Sequence, residues 1–295
     1  MLLLLALALY ETFGDLPSGL VWFAFIGMML IWGLPHGAVD HLVFQLSSVS
    51  QSPYSFRFFR FYLGYMGLYA LAWFIWPWPS FLFFLGMSAY HFGQSQLYFV
   101  ALPDAHLLKK ALFLLWGGSV LGALLFWHAE EVKAILAHTP FALGLTWLGA
   151  RANLVLILLL ISWNLLCLII LLQKKMPWKQ WLRENLLLGV LLVFFAQTPL
   201  LLAFGGYFAL WHSQQTILQT LAVFRGHREA TYGFKQFYYD ALPFSLLSYV
   251  GIGLLLGMYA WYSPAPGTAL FLFFVLISIL TAPHSWVIAQ LYQKE

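Results

Sequence analysis

Apolar runs of roughly twenty residues, broken only by short charged or Pro/Gly segments, recur along this chain from Leu16 to Leu291. Each run is about what one helix needs to cross the ~30 Å hydrocarbon core of a bilayer. In lipid every backbone N–H and C=O must be paired internally, which leaves helices or closed barrels. The runs are continuous and leucine-rich instead of alternating, and that excludes a barrel. Only 8% of the residues are charged, against about 25% in soluble domains. The sequence therefore predicts an all-α integral membrane protein, with residues 1–295 forming a single transmembrane helical domain.

Charged breaks divide the chain into nine expected spans: Leu16 to Phe44, Phe58 to Trp76, Ser80 to Val100, Lys110 to Trp127, Arg151 to Leu172, Glu184 to Phe204, Gly205 to Phe224, Ala241 to Tyr262 and Thr268 to Leu291. "WPWPS", "MPWK", the Gly205–Gly206 pair and "SPAPG" mark four of the boundaries. "MLLLLALALYETFGD" (residues 1–15) reads as a short leader without the basic start of a signal peptide, and residues 1–10 alternatively as half of a tenth helix. Of the 14 Lys and Arg residues, all but Lys133 and Arg151 fall in loops on one side. The positive-inside rule makes that side cytoplasmic, with the N-terminus outside and the C-terminus inside a cell (inner or plasma) membrane. The net charge of +4 thus reports topology, and no basic stripe interleaved with aromatics points to nucleic acid. Cys167 is the one cysteine, so intrachain disulfides and thiolate metal sites are excluded.

Nine histidines divide by position. His106, His128, His138 and His227 lie in loops or at loop edges and read as solvated. His36, His41, His91, His212 and His284 fall within or at the ends of apolar spans, where ionisable groups mark function by default. Four of them, His36, His91, His212 and His284, sit on the first, third, seventh and ninth spans, which cross in the same direction. They are placed to converge at one depth. Neutral imidazoles on separate helices make a metal site for Fe, Zn or Cu without a buried anion. His41 lies five residues after His36, so an unbroken helix turns it about 140° away; it joins the site only if the helix breaks near Gly37.

The residues around these histidines extend the pattern. Asp40, four residues after His36, shares its helix face and is a candidate to orient an imidazole N–H. Gln94 and Gln215 each follow a histidine by three residues and fall on its face. Pro35 and Pro283 each precede a histidine, free a carbonyl one turn earlier and kink the helix. The HxxxH and HxxHH clusters of di-iron desaturases, a paired-histidine haem helix, HExxH and a nucleophile elbow are all absent.

"GLPHGAVDH" (Gly33 to His41), "YHFGQSQ" (Tyr90 to Gln96), "LWHSQQT" (Leu210 to Thr216) and "APHSW" (Ala282 to Trp286) together resemble the Brp/Blh family of integral-membrane β-carotene 15,15'-dioxygenases. The resemblance implies O2-dependent cleavage of the central double bond of β-carotene to two retinal molecules at a non-haem Fe(2+). It maps the metal histidines onto His36, His91 and His212, with His284 or His41 as the fourth ligand. Some members carry a second histidine where this chain has Thr216, and an acidic residue where it has Gln96. A carotenoid entering from membrane lipid requires an aromatic tunnel, for which Tyr90, Tyr207, Phe208 and Trp211 are candidates. The retinal product would link the protein to a retinal-binding rhodopsin. Two other classes stay open at this level: a non-catalytic carotenoid or retinal carrier, and a haem-binding electron carrier.

Overall fold

Proline and glycine decide where the helices of this chain begin and how closely they approach. The computed structural model describes residues 17–47, 56–100, 102, 107–137, 139, 141, 151–227, 230–262 and 266–292. Helix α1 (Ser18–Met28) passes through a π-helical turn (Met29–Gly33) and a 3-10 turn (Pro35–Gly37) into α2 (Asp40–Ser47). Only Trp76 separates α3 (Phe56–Ile75) from α4 (Pro77–Leu97). Pro77 opens α4, where a missing N–H goes unused anyway. Next come α5 (Leu107–Trp127), α6 (Ala129–Leu136), α7 (Ala152–Leu172), α8 (Trp178–Gln197) and α9 (Leu200–Gly205). The last continues through a π-helical stretch (Gly206–Ser213) into α10 (Gln214–His227), and α11 (Phe234–Tyr262) and α12 (Pro266–Tyr292) complete the bundle. There is no strand among the described residues. The expected leader at residues 1–15 lies outside them.

Among the described residues six helices are long and apolar enough to cross a membrane, not the nine expected. The remaining three expected spans are also helical, as α4, α8 and the run Leu200–His227. Their polar content lowers their apolarity: α4 carries Ser88, His91, Gln94, Ser95 and Gln96, and α8 carries Lys179, Arg183 and Glu184.

The tightest contact is between α4 and α5. A Cβ on Gly93 would fall 1.9 Å from the Phe113 carbonyl oxygen, and one on Gly117 would fall 1.9 Å from that of Ala89. The two backbones touch there, as small residues permit between helices in lipid. This contact sets His91 on α4 against a helix whose Leu112, Trp116 and Val120 are fully buried. Gly205 behaves similarly. The expected break at Gly205–Gly206 is absent, because Gly205 is needed for close packing: a Cβ there would lie 2.8 Å from Met28 Cε. The boundary falls instead at Thr198 and Pro199, both extended.

The carbonyls released by Pro35 are accounted for. Tyr249 on α11 donates its hydroxyl to the Leu30 carbonyl at 2.5 Å, and Tyr238 donates to that of Ile31 at 3.0 Å. Two side chains of α11 thus replace the N–H that proline lacks. At Pro283 the helix continues in α form to Tyr292.

His128 departs from the expectation of a solvated loop residue. It is buried, and its two ring nitrogens contact the Leu124 and Thr198 carbonyls at 2.8 and 2.7 Å. Nearby, the Glu131 carboxylate accepts the Leu200 N–H at the start of α9. A pairing between distant segments therefore buries what local context marks as surface. His106 and His138 lie outside the described residues, as does the side chain of His227.

Candidate functional site

Four helical segments bring His36, His91, His212 and His284 together. The ring centroids stand 4.7 Å apart for His36–His284, 4.9 Å for His91–His212, 5.2 Å for His91–His284 and 5.5 Å for His36–His212. All four side chains are buried. Two of them owe their aim to irregular helix. His36 follows the π turn Met29–Gly33, and His212 lies inside the π stretch Gly206–Ser213. An extra residue per turn rotates the downstream side chains relative to an α-helix, which is why such turns gather at functional sites.

The hydrogen bonds of these rings share one logic. His36 Nδ1–H donates to the Gly33 carbonyl at 2.5 Å, and His284 Nδ1–H donates to both Asp40 carboxylate oxygens at 2.9 and 3.0 Å. Ser95 donates its hydroxyl to the Phe92 carbonyl at 3.1 Å, so its oxygen is free to accept from His212 Nδ1–H at 3.1 Å. Each partner is an acceptor, which assigns the proton to Nδ1 and the lone pair to Nε2. Nε2 of His212 and of His284, and both ring nitrogens of His91, are buried without a partner. A buried polar atom left unpaired costs about 1–3 kcal/mol. Unpaired imidazole lone pairs gathered in one cluster are the type of donor a Lewis acid takes. Among the described residues no three His, Cys, Asp or Glu side chains already form a metal-holding group as they stand.

The other expected site residues take varied places around the cluster. Asp40 does orient an imidazole, but that of His284 across the bundle and not that of His36 on its own segment. The chain breaks between them into a 3-10 turn, so the four-residue helical spacing no longer applies. Tyr62 on α3 completes the arrangement, donating to Asp40 Oδ2 at 2.8 Å. His41 lies in the first turn of α2 and packs on Phe244 and Phe58, with centroids at 4.7 and 6.5 Å. The helix does break near Gly37, yet the break turns His41 toward α3 and α11. Gln94 is buried on α4. Gln215 donates to the Ser95 carbonyl at 3.2 Å, and Thr216 to that of His212 at 3.0 Å. Sequence reasoning misses Ser95 as a partner of the site, although its spacing of four residues from His91 on α4 is a usable signal.

A cavity of about 370 Å³ opens beside the cluster. His36, His284, Asp40 and His41 form one wall, and Phe58, Phe59, Tyr62 and Phe244 another. Its far side is lined by Leu63, Leu247 and Leu255, side chains that are also exposed on the outer surface of the bundle. An apolar molecule in lipid thus has a lateral way in between α3 and α11. Of the four aromatics expected along a tunnel, Phe208 lines this cavity and packs on His36 and His212 at 5.5 and 5.8 Å. The other three do not line it. Tyr90 packs on Phe113, Tyr207 on Phe92 and Phe195, and Trp211 donates its indole N–H to Gln96.

A family model described as beta-carotene 15,15'-dioxygenase matches residues 27–292, which include all four clustered histidines. The chain belongs to the beta-carotene 15,15'-dioxygenase family. Among curated proteins it is similar to the probable beta-carotene 15,15'-dioxygenase Blh of Halobacterium salinarum, at 27% identity over 296 residues, covering 89% of this chain and 82% of that one. No solved structure matches it. Gln96 stands where the motif resemblance implies an acid. Here Gln96 donates to the fully buried Glu184 of α8 at 2.7 Å, and Arg183 donates twice to the same carboxylate. A carboxylate therefore reaches this position from another helix, with its charge met by arginine.

Proposed function

We propose that this chain cleaves the central 15,15' double bond of β-carotene with O2, releasing two molecules of retinal, at a non-haem Fe(2+) held by His36, His91, His212 and His284. The observation that carries the proposal is the cluster of four buried imidazoles, three of which, His91, His212 and His284, hold ring nitrogens without a partner, beside an apolar cavity open to lipid. Ring spacing supports it. Imidazole nitrogens about 2.1 Å from a shared ion would bring neighbouring ring centroids about 4.5–5.2 Å apart. Three of the four neighbouring pairs lie in that range, at 4.7, 4.9 and 5.2 Å, and the fourth, His36–His212, is wider at 5.5 Å.

The metal, when bound, supplies Lewis acidity and a site for O2 at a charge that neutral imidazoles leave uncompensated. The protein residues do the rest. Gly33, Asp40 and Ser95 hold three rings in one tautomer, as outer partners of metal histidines do. The aromatic and aliphatic cavity walls bind an uncharged polyene and exclude water. Phe208, against His36 and His212, positions the polyene beside the cluster. α4, α8 and Leu200–His227 are read as three further crossings of a cell membrane, with the basic loops cytoplasmic and the N-terminus outside. The retinal product would serve a retinal-binding rhodopsin.

Expression in a carotene-producing host tests the reading. Wild-type protein is expected to turn β-carotene into retinal and to purify with about one iron per chain and no Soret band. His91→Ala and His212→Ala are expected to insert normally and to yield no retinal. Wild-type retinal from either variant, or a Soret band tracking activity, would overturn it.

A further inference from the structure

A second cavity of about 110 Å³ lies across Phe208 from the first. The two share Phe208, Ile277 and Thr281 as a common partition. On α12 the first cavity is lined from Leu276 to His284, and the second from Phe271 to Thr281, so they are offset along that helix and overlap between Ile277 and Thr281. On α4 the second cavity runs from Phe92, next to His91, back to Phe81, a rise of about 16 Å. Its polar lining is confined to Ser88 and Thr281, and the Thr281 hydroxyl is engaged by the Ile277 carbonyl at 2.8 Å. Such a space stays dry. An apolar cavity of about 150 Å³ seats a bare six-membered ring, so at about 110 Å³ this one takes a ring only as its lining side chains give way.

A polyene cut at its centre extends equally on both sides of the reacting bond. The first cavity extends from the histidine cluster toward α3 and α11 and accommodates one half. We propose that the second cavity is the subsite for the terminal ring of the other half, and that Phe208 and Thr281, at the junction, set which double bond lies beside the cluster. The inference rests on the proposed function and adds to it the place where the second ring of a two-ringed polyene is held. The substrate then bends past Phe208 with each ring in its own aromatic-walled chamber.

Leu121→Trp on α5 and Val275→Trp on α12 each fill the second cavity from a different helix and touch none of the clustered histidines. Two substrates separate the outcomes: β-carotene, with a ring at each end, and a shortened apocarotenal with one ring and an open aldehyde end. Both variants are expected to lose at least tenfold in kcat/KM for β-carotene and to keep cleavage of the apocarotenal near the wild-type rate. Iron-free protein should show the same split in retained carotenoid, read from the visible absorption band. An unchanged rate with β-carotene, or an equal loss for both substrates in both variants, overturns the subsite. If wild-type protein forms retinal from neither substrate, the proposed function itself has failed.

Discussion

Asp40 and His284 are separated by 244 residues in sequence, and the His284 Nδ1–H bridges both Asp40 carboxylate oxygens at 2.9 and 3.0 Å. Tyr62 donates to the same carboxylate, so one charge on α2 locks a ring on α12 from the side away from the cluster. Outer partners of metal histidines typically contribute about 10–100-fold in metal affinity. Asp40→Asn is expected to lower iron retention by that order under chelator dialysis, with retinal yield falling in step. Unaltered iron content and yield would show that the pair is only structural.

Ser95 plays the matching part for His212, with its own hydroxyl proton spent on the Phe92 carbonyl. Ser95→Ala removes the acceptor and should reduce iron content and retinal formation, by less than the loss of a charged partner. Ser95→Thr restores a hydroxyl and should recover most of both. Failure of threonine to rescue while alanine is impaired would argue that volume, and not the hydrogen bond, matters at this position.

Gly37 faces the His284 ring, and a Cβ there would stand 3.3 Å from Nδ1. Gly37→Val should therefore push His284 off Asp40 and cut retinal yield at least tenfold at normal membrane levels. Gly64→Val serves as the control, because a Cβ at Gly64 meets nothing within 4 Å. Equal activity of the two variants would contradict the crowding argument.

Backbone contact between α4 and α5 makes Gly93 intolerant of any side chain. Overpacking typically costs about 1–3 kcal/mol, and a clash with a carbonyl is at the upper end. Gly93→Ala is expected to lower the melting temperature in detergent clearly, whereas Gly189→Ala, with open space around it, should leave it unchanged.

The Tyr249 hydroxyl caps a carbonyl left open by the π turn. Tyr249→Phe should cost about 0.5–1.5 kcal/mol and loosen the segment that carries His36. Hydrogen exchange at residues 30–37 is the measurement, and unchanged protection there would remove the assigned role.

Local reasoning reaches the helical class and singles out His36, His91, His212 and His284, because buried imidazoles in lipid-length apolar runs stand out against their surroundings. It also anticipates the carbonyls freed before His36, since proline's missing N–H is a local fact. It errs where the answer depends on a neighbour distant in sequence. Helical spacing matches Asp40 to His36, but the helix is interrupted and the carboxylate meets His284. Gly205 reads as a breaker, although its lack of a side chain serves the contact with Met28. His128 reads as solvated, while Thr198 on another segment buries it. Proximity to histidines gives Tyr90, Tyr207 and Trp211 to a tunnel, yet none of the three lines the cavity beside the cluster.

By itself, then, the sequence determined that this chain must be helical in lipid and which few polar residues it places inside apolar helices. Backbone satisfaction and the burial of charge act residue by residue and can be read along a chain. Which acceptor holds each imidazole proton, which way His41 turns and where the two cavities lie were decided only by tertiary structure. Those depend on the crossing of α2, α4, α12 and the two π-helical stretches, a relation among segments that periodicity within any one of them does not contain.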